Sequence, residues 1–279
     1  MRHFVRVPIF LTLLAATSAF ANFQVYPTRV VLNDKSRVSQ VTLTQTGAEE
    51  TTYEIVPVFY RQDAKGRMSP TEGKAAVSAA GSAAEFLRYS PRVFSLKQGQ
   101  TQILKIRASP KASLADGIYR IHLRVQPAPE AKSPLPIENT PKSGGKKGAT
   151  SLELKAVLSI AIPVYFSHGS IKRSLDVSDL AIDDDGKKVS FLLKQDGNGF
   201  VFGDINVSVA QANKETPYRE IGHLFNMASY APERRVEIVL ADPIKKSPKA
   251  PEFRIQITQS PDDGGELIFS KQIAAAPAQ

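Results

Sequence analysis

The chain has 279 residues, with 36 Lys and Arg against 27 Asp and Glu, and no cysteine. That length accommodates two cores of ordinary domain size, and the missing cysteine excludes a disulfide-framework scaffold. The net charge of +9 points to acidic partners, anionic groups or a membrane surface. At the start, MRHFVR is basic and the apolar stretch VPIFLTLLAATSA is too short to span a bilayer as a stable helix. Ala19-Phe20-Ala21 supplies the small-x-small pattern of a secretory signal. Residues 1–21 therefore read as a signal peptide cleaved after Ala21, which also removes Arg2 and Arg6 and lowers the charge to +7. An exported basic protein does not normally meet nucleic acid, and no second apolar segment suggests a membrane span.

Short alternating or β-branched runs follow. They are FQVYPTRVVL (23–32), SQVTLTQ (39–45), TYEIVPVFY (52–60), PRVFSL (91–96), QTQILKIRA (100–108) and IYRIHLRVQ (118–126). Turn chemistry separates them at Asn33-Asp34, Asp63 to Gly66, Gln98-Gly99 and Asp116-Gly117. The alanine-rich stretch 74–87 reads as a short helix or a loop. Residues 127–150, rich in Pro, Gly, Ser and Lys, read as a mobile loop. After His168-Gly169 come VSFLLKQ (189–195), FVFGDINVSVA (200–210), REIGHLF (219–225), RRVEIVLA (234–241), FRIQITQ (253–259) and LIFSKQI (267–273), with a type I′ hairpin turn expected at Asp185-Gly186. Many short strands at regular spacing predict an all-β protein of two sandwiches, residues 22–168 and 169–279, with the boundary near 167–172.

The stretch SLELKAVLSIAIPVYF (151–166) carries the most information. Apolar residues occupy every second position, at Leu152, Leu154, Ala156, Leu158, Ile160 and Ile162, which places them on one face of a strand. Two readings stand at this point. The strand is a core strand of a sandwich, or an edge strand offering its apolar row to another chain.

Enzyme signatures are missing. The histidines at 3, 122, 168 and 223 lie at no metal spacing. Asp183-Asp184-Asp185-Gly186 has the wrong spacing for a calcium loop. Gly144 to Gly148 lacks the full phosphate-loop pattern, and Ser143-x-x-Lys146 falls in the loop. No catalytic residue, metal site or cofactor is expected.

Three stretches carry a family resemblance. They are Thr28-Arg29-Val30-Val31-Leu32; Pro91 to Gly99 followed by Gln102-Ile103-Leu104-Lys105-Ile106; and Tyr119 to Arg124 together with 151–166. With the signal peptide and two all-β domains, they resemble the PapD-like periplasmic chaperones of chaperone–usher pili. Pro163 stands where the main branch has an anchoring Lys, and Gly197-Asn198-Gly199-Phe200 replaces its N-P-T-P-Y segment. Both departures are closer to an archaic-like branch.

The resemblance implies two immunoglobulin-like β-sandwich domains set at an angle around an interdomain cleft, a periplasmic location, and a non-enzymatic chaperone for fimbrium biogenesis. Such a protein binds pilus subunits by donor-strand complementation and delivers them to an outer-membrane usher. Matching positions, the donated row is Leu152, Leu154, Ala156, Leu158 and Ile160. The opposite face, with Val157, is then expected in the chaperone's own core. The subunit's terminal carboxylate is anchored by Arg29, with Arg120 as the candidate second cation. The alternative function is an exported Ig-like structural or adhesive protein of the cell surface.

Overall fold

The computed structural model describes residues 23–129, 158–211, 217–244, 251–261 and 264–275. The signal-like segment, the lysine-rich 130–150 stretch, and Leu152, Leu154, Ala156 and Val157 lie outside the described residues.

The stretch 23–32, read from sequence as one run, forms two strands: β1 (Phe23–Tyr26) and β2 (Val30–Asn33). The break falls at Pro27, which cannot donate to a ladder. The two strands serve different sheets. β1 pairs antiparallel with β3 (Val38–Gln45), which pairs with β8 (Thr101–Ala108), which pairs with β6 (Leu87–Ser90). β2 instead runs parallel to β10 (Ile160–His168). β10 pairs antiparallel with β9 (Gly117–Pro127), β9 with β4 (Thr51–Gln62), and β4 with β5 (Met68–Glu72) and β7 (Val93–Leu96). A single turn of helix, α1 (Gly73–Val77), follows β5.

The two sheets close over one core because the strands alternate. Val41 and Leu43 of β3, Leu104 and Ile106 of β8, and Ile121 and Leu123 of β9 all point inward and are buried. Ile162, Val164 and Phe166 of β10 join them, with Phe166 edge-on to Phe86 at 5.4 Å between ring centroids.

A second core begins at Val177 and runs to Ala275. It lies between a three-stranded sheet, β11 (Arg173–Ile182), β12 (Lys188–Gly197) and β15 (Glu233–Val239), and a four-stranded one. The latter has the order β14 (Tyr218–Ser229), β13 (Val201–Ala210), β16 (Glu252–Thr258) and β17 (Leu267–Ala274). Phe191, Phe253, Ile205 and Ile255 fill its centre. The all-β class expected from sequence is the observed one, and each domain is a two-sheet sandwich.

The β11–β12 turn is not the expected type I′. Of the residues between these strands only Gly186 has positive φ, +68°, whereas type I′ needs two such residues in succession. The Gly186 N–H donates to the Asp183 carbonyl at 3.0 Å, and the Asp183 carboxylate accepts from the Lys187 and Lys188 N–H groups at 2.7 and 2.9 Å. The aspartate side chain therefore organises a longer turn. A Cβ at Gly186 would fall 2.2 Å from the Ile244 carbonyl oxygen. Gly186→Ala is expected to destabilise the second domain by roughly 1–3 kcal/mol, through the left-handed conformation and this clash. Urea unfolding of the two proteins measures it.

Candidate functional site: an open strand edge and an interdomain cleft

β10 has two neighbours, but for different lengths. β9 pairs with it from Ile160 to His168, whereas β2 pairs with it only from Val164 to Ser167. Over Ile160 to Pro163 the side of β10 away from β9 has no strand beside it among the described residues. An unpaired edge presents backbone donors and acceptors to any extended chain that reaches it. Just before it, Leu158 is 63% exposed, and Ile160 is half-buried against the first core.

Positions 158 and 160 share their row with Ile162, Val164 and Phe166. Along the described part of β10 the even-numbered row is therefore the one that faces the first core. The expectation that the opposite face lines that core does not hold for Ala161, Pro163 and Tyr165, and Val157 itself lies outside the described residues. Further along the strand the odd-numbered row is Ala161, Pro163 and Tyr165, and Tyr165 packs against the second domain. A sheet has one inner face, so a row offered to a partner and the row buried at home lie on the same side of the strand.

Where the outer face of β2, β10 and β9 meets the second domain, a cleft forms. Tyr165 lies 4.9 Å from Phe200 and 5.9 Å from Phe202 between ring centroids, and its hydroxyl shares a 2.6 Å hydrogen bond with that of Tyr230. A cavity of about 320 Å³ opens beside them, lined by Val31, Tyr165, Arg173, Phe200, Phe202 and Gln259 among others. Arg29 lays its guanidinium over the Phe202 ring at 4.1 Å. It precedes β2 directly, at the end where β2 stops covering β10. Arg173, from the second domain, donates to the Phe200 carbonyl at 3.1 Å. Burial pushes the Tyr165 phenol well above its ordinary range and raises that of Tyr230, so both hydroxyls stay protonated.

Arg120 lies one strand over from Tyr165, directly opposite it in the β9–β10 register. Its guanidinium is stacked between Phe59 and Tyr230 and only 8% of the residue is exposed. His122 sits next on the same face, edge-on to Tyr60 at 4.8 Å and Tyr230 at 6.2 Å. Burial, and then the neighbouring Arg120 charge, push its pKa down to about 4. The folded protein thus holds His122 neutral, while the unfolded chain takes up a proton below about pH 6.5. The associated stability is complete above that pH and declines as pH falls towards 4, by up to roughly 3 kcal/mol. His122→Gln is expected to flatten this part of the melting temperature–pH profile, measured from pH 7 to pH 4.

The domain linker is held from both sides. The Asp34 carboxylate accepts from the Gly169 N–H at 2.9 Å and bonds His168 Nδ1 at 2.8 Å. Asp116 accepts from the Ser170 N–H at 3.1 Å, and Asn198 Oδ1 from the Lys172 N–H at 2.7 Å. The Gly169 hydrogen bond and then His168 hold the Asp34 carboxyl below the usual carboxylate range. Sequence reasoning passed over Tyr165, Phe202, Arg173 and Tyr230. The i, i+2 spacing of Phe200 and Phe202 does place them on one face, but nothing local tells that this face meets another domain.

Among the described residues no cluster of three or more His, Cys, Asp or Glu could hold a metal ion, and no helix is long and apolar enough to cross a membrane.

No protein-family model matches the chain, and no curated protein matches it either. Solved structures do. The class 5 fimbriae chaperone CfaA aligns over 92% of this chain and 100% of its own, with a TM-score of 0.50 and 12% identity. A chaperone–tip adhesin complex of CFA/I fimbriae biogenesis gives 0.48 and 12%, with the same coverage. The CsuC–CsuE pre-assembly complex of archaic Csu pili from Acinetobacter baumannii gives 0.42 and 15%, over 77% of this chain and 90% of that one. At this identity the CfaA likeness shows a shared fold: the chain has the two-sandwich architecture of a fimbrial chaperone.

Proposed function

We propose that this protein is a non-enzymatic periplasmic chaperone of pilus assembly, which completes a subunit's fold by lending it β10 and the residues before it. The observation that carries this reading is the edge of β10 that no described strand covers over Ile160–Pro163, preceded by the exposed Leu158 in the row that becomes the domain's core. A subunit lacking one strand has the complementary defect, an open edge over an apolar groove. Strand addition satisfies both edges with main-chain hydrogen bonds. Each large side chain of the row Leu152, Leu154, Ala156, Leu158 and Ile160 buried in the groove contributes on the order of 1.5–3 kcal/mol before ordering costs.

The collinearity of β2 with the open edge supports a role for Arg29. A partner strand running parallel to β10 beside Ile160–Pro163 would end where β2 begins, and its terminal carboxylate would reach Arg29, whose fork suits a carboxylate. Arg120 was the candidate second cation; its guanidinium is largely covered, so Arg29 carries most of this anchoring. Delivery to an outer-membrane usher completes the proposed cycle.

The test is co-expression with strand-deficient pilus subunits in the periplasm. The reading expects a soluble one-to-one complex, and subunit lost to aggregation or degradation without the chaperone. Subunits that stay soluble alone and form no complex would leave the alternative, an exported Ig-like structural protein.

A further inference from the structure

The linker contacts at 168–172 fix where the second domain starts. A second set of contacts lies away from the linker. The end of β4 and the turn after it reach the second domain, where Gln62 Nε2 donates to the Ala228 carbonyl at 3.1 Å, Gln62 Oε1 accepts from the Tyr230 N–H at 2.7 Å, and the Arg235 N–H donates to the Ala64 carbonyl at 2.7 Å. At the centre of this set is Arg120. Phe59 of the first domain covers one side of its guanidinium at 4.1 Å, Tyr230 of the second covers the other at 3.9 Å, and its Nη1 donates to the Tyr60 carbonyl at 2.7 Å.

Among the described residues Arg120 has no ion-pair partner. A buried cation without a carboxylate is costly, and a well-packed neutral side chain would fill the space with less penalty. What a guanidinium offers in return is shape. It is planar, so two rings belonging to different domains can stack on it at once while its rim donates in plane. Tyr230 closes the circuit, because its hydroxyl bonds that of Tyr165, the residue opposite Arg120 in the next strand.

We infer that Arg120 is a positioning residue: its stacked guanidinium sets the angle between the two domains and, through Tyr230 and Tyr165, the placement of Arg29 and Phe202 across the cleft. It does so without touching the partner. The consequence for binding rests on the strand-addition reading; the consequence for the domain angle does not.

The chain contains no cysteine, so a spin-label pair at Gln40→Cys and Gln272→Cys, one exposed site in each domain, reports the angle without background. Pulsed dipolar spectroscopy on the processed full-length protein should give one narrow distance distribution. Arg120→Met, which keeps the bulk, and Arg120→Lys, which keeps the charge, should both broaden it. Tyr230→Leu, which strips one stacking face and leaves the first core untouched, should do the same and guards against a variant that fails to fold. A narrow, unshifted distribution in folded Arg120→Met and Tyr230→Leu overturns the inference, whatever the melting temperatures do. Titration with a strand-deficient subunit supplies the second arm, with an expected loss of tenfold or more in affinity. Broadened distances with unchanged affinity would uphold the strut and refute use of the cleft by the subunit.

Discussion

Leu158→Glu is expected to abolish recovery of a subunit complex while moving the protein's own melting temperature by no more than a degree or two. Leu158 is 63% exposed in the free protein, so a carboxylate there stays in water and costs the fold little. In a partner's apolar groove the same carboxylate would be buried unpaired, at a cost of several kcal/mol. The control lies two rungs beyond the start of β10. Ile162 shares the row but is fully buried in the first core, so Ile162→Glu should unfold that domain. Circular dichroism melts, together with co-purification of both variants, separate the effects. Strong destabilisation by Leu158→Glu, or a complex that survives it, would remove this row from the binding surface.

Arg29→Ala is the second large effect. Arg29 is part-exposed and its stacking partner Phe202 lies on the cleft surface, so the protein should remain folded. A charge-assisted hydrogen bond to a carboxylate contributes roughly 1.5–3 kcal/mol, which corresponds to roughly 10- to 150-fold in affinity. Subunit binding by calorimetry should weaken by that factor, and a subunit with an amidated C-terminus should bind wild type and variant alike. Equal affinity of wild type and Arg29→Ala for the free carboxylate would exclude the contact.

Period-two patterning made the strands readable wherever one face is buried and the other wet, as in β3, β8 and β12. It failed where that condition failed. β11, RSLDVSDLAI, was missed because a bulge between Ser178 and Ala181, with Asp179 at φ 51°, interrupts the alternation. β5, MSPTE, lies on a sheet margin and buries none of its residues, so no pattern is imposed on it. The alternating row before β10 was visible in sequence, but which face lines the home core was not. Alternation marks two faces without naming them, and the covering of Tyr165 by a distant aromatic cluster decides the matter. Arg29 was legible because it adjoins an apolar run. The setting of Arg120 was not, since Phe59 and Tyr230 lie 61 and 110 positions away in the chain.

The four-residue length of β2 has a further consequence under the strand-addition reading. β2 occupies the same lane that an added strand would use, so it acts as an end-stop: the incoming chain can advance no further than Pro163, because Val164 is already paired with Val30. A stop fixes phase as well as position. Side chains alternate with period two, so a partner tail one residue longer or shorter, brought against the same stop, would turn its apolar residues from the groove to water. The protein would then discriminate among incoming chains by counting their terminal residues, a parity check made by a short strand that never touches the groove itself.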